Sequence, residues 1–332
     1  MTDAPSRPSA GTGPADARDF TYSVVIPVFN SEQIVATTVD RTLAVFRDAG
    51  LRHELILVND GSEDGSWAVV SELARTTPGV VAIDLLTNYG QHHANVAGMR
   101  EATGDYVITM DDDLQNPPDQ ALLLIERAME GYDVVFGRFE TKQAAGYRRI
   151  GSKMISMINR RVFGQPSNLT VSNFRILRRD VVTRIVTSRT AHPYITGQAL
   201  MYSSQRANVD VRHDPRPVGS SNYNLVRIVR LLMTILFSYS SFPLRLGALL
   251  GFVLAGLSFL FGAYLVISRV VNDTRVPGWT SLMVLLSIFN GFSIALLSIL
   301  GEYVVRTLNA VSDPVTSHVA ELVRGPASEQ PG

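Results

Sequence analysis

The sequence predicts an α/β domain with a mostly parallel sheet, followed by a C-terminal hairpin of two transmembrane helices. Two patterns predict this architecture: short β-branched runs alternate with helical stretches after residue 21, and two long uncharged runs follow near the C-terminus. Composition points the same way, because charged residues make up only 18% of the 332 residues, below the roughly 25% of soluble domains. Part of the chain is therefore expected to lie outside water.

Strands and helices alternate along the first part of the chain. β-branched runs bounded by turn residues predict strands at 22–28, 54–58, 80–85 and 106–110. Apolar residues at helical spacing predict helices at 32–49, 66–76 and 91–102. In parallel sheets ligands bind beyond the carboxyl ends of the strands. Asp60 and the acidic run 111–113 lie at two such ends, which is the first indication of a functional site.

Charge and cysteine content exclude several classes of function. Lys plus Arg equals Asp plus Glu at 30 each, so overall charge gives no case for a nucleic-acid partner. The chain contains no cysteine, which excludes disulfides, thiolate metal sites and a cysteine nucleophile. Residues 1–19 are rich in Pro, Ala, Gly and Ser without an apolar run, so they are interpreted as a disordered tail rather than a signal peptide.

Two uncharged runs near the C-terminus predict the transmembrane hairpin. Residues 246–268 would form a helix of about 35 Å, long enough for a hydrocarbon core of about 30 Å. Residues 277–301 are also uncharged, and the loop between the two runs is short. The alternative is a pair of buried helices in a soluble core. That alternative is disfavoured, because such long uncharged runs are rare in small soluble domains.

A hairpin returns the C-terminus to the side of the α/β domain, and the flanking arginines favour the cytoplasmic side, although two arginines lie in the intervening loop. Residues 224–244 combine apolar positions with Arg227 and Arg230, so they fit either a helix in the headgroup layer or an ordinary packed helix. The predicted organisation is a disordered tail (1–19), an α/β catalytic domain (20–223), an interfacial segment (224–244), two transmembrane helices (245–303) and a cytoplasmic tail (304–332).

The acidic run after the fourth predicted strand indicates a metal site. Alternate carboxylates such as Asp111 and Asp113 can point into one pocket, and hard oxygen ligands suit Mg²⁺ or Mn²⁺. A divalent ion can neutralise a nucleotide diphosphate as it leaves. An isolated D-x-D is more often a solvated turn. Here the preceding strand, the following Pro117-Pro118 and the second acidic turn at Asp60 favour the metal site.

Four segments together resemble glycosyltransferase family 2, which has the GT-A fold. They are VVIPVFN at 24–30, VNDGS at 58–62, NYGQH at 88–92 and DDDLQNPP at 111–118. Within this family the chain is similar to the polyprenyl-phosphate glycosyltransferases, including dolichol-phosphate mannose synthase and the undecaprenyl-phosphate aminoarabinose transferases. The resemblance covers roughly residues 22–306. It implies a Rossmann-like GT-A domain that moves a sugar from a nucleotide diphosphate sugar, expected to be a UDP-sugar, to a polyprenyl phosphate.

The same resemblance implies further properties of the enzyme. It implies dependence on Mg²⁺ or Mn²⁺, inversion at the anomeric carbon without a covalent enzyme intermediate, and a location in the inner membrane with the catalytic domain in the cytoplasm. The partners it implies are the two substrates and the lipid bilayer, with a homo-oligomer as a further expectation.

Donor-site residues follow from the matching positions. The loop after the first strand that lines the nucleotide site matches Pro27, Phe29 and Glu32, and the acid that accepts a hydrogen bond from the base matches Asp60. The metal and diphosphate site of the family matches Asp111, Asp113 and Gln115. Each residue alone could equally belong to an ordinary strand-end turn.

Acceptor-site residues follow in the same way. Positions that hold the acceptor phosphate match Arg138, Arg148 and Ser152, and the last two share a helix face at i,i+4. An arginine fork suits a phosphate group geometrically. The alternative is a basic surface that attracts anionic lipid. With the metal-site carboxylates, these three residues form the predicted catalytic set.

Two positions depart from the family pattern. The mobile loop that folds over the donor diphosphate matches Arg216 with a diphosphate-binding arginine, but Asn222 stands where relatives usually have Lys. Leu169 stands where relatives often carry an Asp that has been proposed as a base. A phosphate monoester has a second pKa near 6, so the acceptor is already a mostly ionised nucleophile at pH 7.

Two alternatives to this function remain open. A processive polysaccharide synthase of the same fold would carry a Q-x-x-R-W element, which this sequence lacks. A non-catalytic membrane scaffold would keep the fold and lose the chemistry, and Asn222 and Leu169 are compatible with it.

Overall fold

The computed structural model describes residues 15–139, 146–188, 190, 193–214, 278–312 and 317–326, together with scattered helical positions between 246 and 271. For residues 146–154 it describes the backbone only. The chain divides into two compact units, one made of Met1–Asn224 with Val315–Gly332 and the other of Leu225–Pro314.

The first unit is built on one eight-stranded sheet. Its strands are β1 (Thr21–Val28), β2 (Arg52–Asn59), β3 (Val80–Leu85), β4 (Tyr106–Thr109), β5 (Val134–Phe139), β6 (Arg175–Arg178), β7 (Arg206–Val211) and β8 (Val319–Arg324). They lie in the order β7-β5-β6-β4-β1-β2-β3-β8, and β6 and β8 run antiparallel to their neighbours. The predicted mostly parallel sheet is confirmed.

Seven helices accompany these strands among the described residues of the first unit. They are α1 (Val35–Asp48), α2 (Ser66–Thr76), α3 (Gln91–Glu101), α4 (Gln120–Met129), α5 (Gly146–Phe163), α6 (Arg179–Val186) and α7 (Ile195–Tyr202). The strands and helices predicted between residues 22 and 110 all form, with ends that differ by a few residues at most.

β1 is buried on both faces, which explains its nearly continuous apolar sequence. Val24 and Ile26 belong to the same core cluster as Phe46 of α1. Val25 faces the other layer, where Gly98 of α3 approaches so closely that a Cβ atom at residue 98 would lie 2.5 Å from the Val25 side chain. The sheet is therefore covered by helices on both sides, and its functional groups are confined to the edges.

The C-terminal strand β8 was not predicted, because residues 304–332 were assigned to a tail. β8 pairs antiparallel with β3, and its last residue Arg324 forms an ion pair with Glu101 of α3. Its side chains are mostly exposed, as expected for a short strand at the edge of a sheet. Without a buried face, the segment has no hydrophobic alternation from which a strand could be read.

Residues 15–19, which were predicted to belong to a disordered tail, are instead ordered against the domain. Ala17–Asp19 form a short 3-10 turn, and the Tyr22 hydroxyl donates to the carbonyl of Ala17 at 2.9 Å. The backbone N–H of Ala15 donates to the carbonyl of Met129 at 3.2 Å. These contacts to the folded domain order a segment whose composition alone indicates disorder.

The second unit contains one long described helix, α8 (Trp279–Ser312), which extends beyond the predicted span 277–301. Among the residues that the structure describes, no helix is both long and apolar enough to cross a membrane. The transmembrane hairpin is therefore not confirmed and stays a prediction. The interfacial segment 224–244 lies outside the described residues.

A buried ion pair joins β5 to β6 at the end of the sheet opposite the predicted site. The Asp133 carboxylate lies 2.9 Å from the Arg178 guanidinium and accepts hydrogen bonds from the backbone N–H groups of Ser204 and Gln205. Burial raises the pKa of Asp133. The backbone N–H groups of Gln205 and Ser204 and the charge of Arg178 lower it by more, so the net shift of the pKa is downward.

We expect Asp133→Asn to lower the free energy of unfolding by about 3 kcal/mol at pH 7, because it breaks a buried pair. A lowered folded-state pKa stabilises the fold above the unfolded value near 3.9, and this stabilisation is lost as the pH falls through the folded-state pKa. The wild type should therefore lose more stability than the variant as the pH falls from 7 to 2. Chemical denaturation across this pH range measures the free energy of unfolding of both proteins, with the exposed Asp48→Asn as control. Equal stability of variant and wild type would contradict this assignment.

Candidate active site

Three adjacent strands bring the predicted site residues to one edge of the sheet. β1 lies between β2 and β4 and runs parallel to both. Their carboxyl ends lead directly into Phe29, Asp60 and Asp111. The chain proceeds from β1 through β2 to β3 on one side and then returns to place β4 on the other side of β1. The strand order therefore reverses between β1 and β4, and a ligand crevice is expected there, beyond the carboxyl ends of the strands.

Asp60 holds the start of α3. Its Oδ1 accepts the backbone N–H of Tyr89 at 2.8 Å, and its Oδ2 accepts the backbone N–H of Gly90 at 2.9 Å. Burial raises the pKa of Asp60, and these two N–H groups partly offset the rise. Gly90 has φ 91°, in the region that favours glycine. Asp60 therefore has a structural task in this turn, and its predicted contact with a nucleotide base stays a prediction.

The acidic turn follows β4 and is tied to the first turn of α1. The Thr38 hydroxyl donates to the carbonyl of Asp112 at 2.8 Å, and the Asp113 carboxylate accepts the backbone N–H of Gln115 at 3.1 Å. Leu114 has φ 55°, which is unusual for a residue with a side chain. The turn is thus held in a specific shape that keeps its carboxylates together.

Burial, reinforced by neighbouring like charges, raises the pKa of two of these carboxylates. Burial, followed by the charges of Asp113 and Asp112, raises the pKa of Asp111 to about 7. Burial also raises the pKa of Asp112 to about 6, despite a hydrogen bond from Ser31. Asp111 and Asp112 therefore lie where ionisation is unfavourable without a compensating cation.

The turn fits a divalent cation of the kind that substrate phosphates help to hold. Buried oxygen atoms without a hydrogen-bond partner include Oδ2 of Asp112 and Oδ1 of Asn116. Among the described residues, no group of three or more His, Cys, Asp or Glu side chains is arranged to enclose a metal by itself. Mg²⁺ typically uses one or two carboxylates and completes its coordination with water and phosphate oxygens, and the predicted pair Asp111 and Asp113 suits that mode.

The other predicted donor residues lie around the loop that follows β1. Pro27 is within β1, and the ring of Phe29 is 46% exposed. The Glu32 carboxylate accepts the backbone N–H of Gly65 at 3.1 Å, so it braces a neighbouring loop. Arg216 and Asn222 lie outside the described residues.

Arg138, the described member of the predicted acceptor set, is engaged in a bidentate ion pair. Its Nε and Nη2 donate to the two carboxylate oxygens of Asp210 at 2.5 and 2.8 Å, and the two residues are register partners on β5 and β7. Both side chains are exposed. Arg148 and Ser152 lie on α5, as predicted, but their side chains are outside the described residues.

Sequence reasoning missed three side chains next to the acidic turn. Gln91 donates from Nε2 to the Asp111 carboxylate, and Asn173 donates from Nδ2 to Oε1 of Gln91 at 3.0 Å. Arg175 is fully buried behind them, where burial lowers its pKa to about 10. Gln91 belongs to the NYGQH motif, which indicated a site without indicating this contact. Arg175 gave no signal, because a sequence does not show that an arginine is buried.

The fold and the acidic turn at its carboxyl edge define the class of the protein, an α/β enzyme of the GT-A type. The family model described as glycosyl transferase family 2 matches residues 23–186. The chain belongs to this family and is a glycosyltransferase, as the relatives below also show.

The chain is similar over most of its length to enzymes named undecaprenyl-phosphate 4-deoxy-4-formamido-L-arabinose transferase. It is 35% identical over 311 residues to that of Shewanella sediminis (strain HAW-EB3), covering 92% of this chain and 94% of the relative. It is 34% identical over 292 residues to that of Proteus mirabilis (strain HI4320), covering 87% and 90%.

A solved structure shares the fold of the first unit. Glucosyl-3-phosphoglycerate synthase from Mycobacterium tuberculosis, in complex with phosphoglyceric acid, superposes with a TM-score of 0.50 at 16% identity. The match covers 70% of this chain and 86% of that chain. At this identity the likeness shows the GT-A fold alone.

Asp60→Asn tests the structural task assigned to Asp60. The amide keeps one acceptor oxygen, so it leaves the N–H of Tyr89 or Gly90 unpaired, and we expect a loss of about 1–3 kcal/mol in stability. Hydrogen–deuterium exchange of the amides at 89 and 90 should become faster, whereas the exposed Asp40→Asn should leave it unchanged. Unaltered exchange in Asp60→Asn would show that the turn does not depend on this carboxylate.

Proposed function

We propose that the protein transfers a sugar from a nucleotide diphosphate, most simply UDP, to undecaprenyl phosphate or a similar polyprenyl phosphate. The acidic turn at the crevice edge carries this proposal, because it gathers the oxygen ligands that a metal-bound diphosphate needs. Similarity over 92% of the chain to undecaprenyl-phosphate transferases supports the acceptor. Those relatives are named for 4-deoxy-4-formamido-L-arabinose, which makes this sugar the first donor to test.

Asp111 and Asp113, with Gln115 beside them, would hold Mg²⁺ or Mn²⁺. The ion would act as a Lewis acid that neutralises charge on the leaving diphosphate. Phe29 would contribute an exposed ring beside the nucleoside, and the loop containing Arg216 and Asn222 would contribute one arginine to the diphosphate, with one cation fewer than in most relatives.

The acceptor phosphate needs to be bound in position rather than deprotonated by a general base. A phosphate monoester is mostly dianionic at pH 7, and Leu169, at the position of the base proposed in relatives, is buried and apolar. A phosphate oxygen of the acceptor would attack the anomeric carbon in line as the bond to the diphosphate oxygen breaks, with inversion. Arg138, Arg148 and Ser152 would hold that phosphate, and catalysis would rest on positioning and electrostatics. Binding requires the phosphate to replace Asp210 on Arg138.

The path of the chain supports a membrane hairpin in the second unit. The chain leaves the first unit after Asn224 and rejoins it at Val315, where β8 adds to the same sheet. A segment that starts and ends in one folded unit crosses a bilayer an even number of times. Two crossings, near the predicted spans 246–268 and 277–301, meet this condition and put the catalytic unit on one side, which we assign to the cytoplasm.

A transfer assay read by mass spectrometry tests the reaction. Purified protein receives undecaprenyl phosphate, Mg²⁺ or Mn²⁺ and a panel of nucleotide sugars that includes UDP-4-deoxy-4-formamido-L-arabinose. We expect a polyprenyl-phosphate sugar that requires the metal, and a loss of about 100-fold or more in Asp113→Ala, since metal stabilisation is worth several kcal/mol. Arg138→Ala should raise the KM for the acceptor about 10- to 100-fold, because it removes a charge-assisted hydrogen bond to the phosphate that is worth about 1.5–3 kcal/mol.

Asp48→Ala is the matched control, because this acid is exposed and is the last residue of α1, at the end of that helix far from the carboxyl end of β1. Its activity should stay within about twofold of the wild type. Nucleotide binding without product across the whole panel would favour the scaffold alternative, and a long sugar polymer as product would favour the processive synthase.

The absence of cysteine from the chain gives a clean test of topology. Single-cysteine variants Asp48→Cys and Val319→Cys report on the first unit, and Asn272→Cys reports on the loop of the predicted hairpin. A membrane-impermeant maleimide applied to intact cells should label residue 272 and spare the other two, with the pattern reversed in inverted vesicles. The same labelling at all three positions would contradict the hairpin.

A further inference from the structure

A continuous chain of hydrogen bonds runs from the interior of the domain to the acidic turn. Its last member is Gln91, the first residue of α3, whose Nε2 donates to Oδ1 of Asp111. The backbone just before Gln91 is held by Asp60 through Tyr89 and Gly90. Gln91 therefore approaches Asp111 from a fixed point of the main chain.

Asn173 decides which end of the Gln91 amide faces the acid. Nδ2 of Asn173 donates to Oε1 of Gln91 at 3.0 Å. An amide oxygen can only accept and the NH₂ group can only donate. Because the oxygen of Gln91 is engaged by Asn173, its NH₂ group faces Asp111, and the alternative orientation would lose both hydrogen bonds.

Asn173 is held in turn by the core of the domain. The Thr109 hydroxyl, at the end of β4, donates to the carbonyl of Asn173 at 2.6 Å. Nε of the fully buried Arg175 donates to the same hydroxyl at 3.2 Å, while Nη1 donates to Thr196 at 2.8 Å. The backbone of Asn173, from which its half-buried side chain reaches Gln91, is thus anchored by the buried side chains of Thr109 and Arg175.

We propose that Gln91 is a positioning residue for the divalent cation, which fixes the Asp111 carboxylate with its NH₂ group while Asn173 fixes Gln91. An amide suits this task, because it donates to a carboxylate without adding a positive charge that would compete with the cation. Outer partners of metal ligands typically account for a 10- to 100-fold change in metal affinity. The inference rests on the proposed function, which assigns the cation to Asp111 and Asp113.

A merely structural role of Gln91 would predict a different result. If Gln91 only fastened α3 to the sheet, its removal would lower stability and leave the affinity of the folded protein for a metal unchanged. Metal affinity therefore separates the two roles, and it is measured without turnover.

The experiment is a titration of the full-length protein with Mn²⁺ in the presence of UDP, followed by electron paramagnetic resonance. We expect Gln91→Ala to weaken Mn²⁺ binding about 10- to 100-fold. Asn173→Ala keeps the Gln91 side chain and removes its orientation, so a smaller weakening of about 3- to 10-fold is expected on the same grounds. Gln205→Ala, an exposed glutamine at the start of β7, is the matched control and should bind as the wild type does.

Each outcome decides one question. Binding of Mn²⁺ by folded Gln91→Ala within twofold of the wild type would overturn the inference, whether or not the unfolding temperature falls. If Gln91→Ala does not fold, Asn173→Ala decides in its place, since unchanged affinity there overturns the inference and weaker affinity supports it. Failure of the wild type itself to bind Mn²⁺ would overturn the metal site of the proposed function, which is a separate result.

Discussion

Two hydrogen bonds from the backbone of Tyr89 and Gly90 to Asp60 are the interaction on which the candidate site depends. They connect the end of β2 to the start of α3 and so determine where Gln91 projects. Gln91 contacts Asp111 at the end of β4, which lies on the far side of β1 from β2. The carboxyl ends of these strands are therefore held together by side chains as well as by the sheet.

The second constraint is the repulsion within the acidic turn. Asp111, Asp112 and Asp113 are consecutive, and their mutual charge together with burial raises the pKa of the first two. Such an arrangement opposes folding in the absence of a cation, because ionised carboxylates are desolvated beside one another. A buried Arg175 compensates only in part, since it lowers the pKa of Asp111 without contacting it through a hydrogen bond that the structure describes. On the proposed function, the turn would give up stability in exchange for the ability to bind a divalent ion.

The described arginine proposed to bind the acceptor phosphate, Arg138, differs from the acidic turn in being exposed to solvent. Arg138 and Asp210 are both exposed, and solvent weakens the pair that they form. An exposed carboxylate that fills an arginine fork keeps the guanidinium oriented, and a phosphate dianion can replace it at modest cost. On the proposed function, the carboxylates of the acidic turn would be held rigidly, whereas the acceptor phosphate would bind at an open position where it exchanges with Asp210.

The alternation of strands and helices, the mostly parallel sheet and the acidic turn after β4 could all be predicted from the amino-acid sequence. These features are local, since each depends on residues within about 20 positions of one another and leaves a periodic or motif signal. Hydropathy likewise predicted the two C-terminal spans, which remain to be tested.

The contacts between residues far apart in the chain became visible only in the folded structure. It showed that Asp60 binds the backbone of residues 89 and 90, that Asn173 orients Gln91 toward Asp111, and that Asp210 occupies the fork of Arg138. It also showed that the segment 319–324 returns to the sheet as β8. A hydrogen bond between side chains far apart in sequence imposes no period on the chain between them, so neither pattern nor composition reveals it, and folding alone brings the partners together.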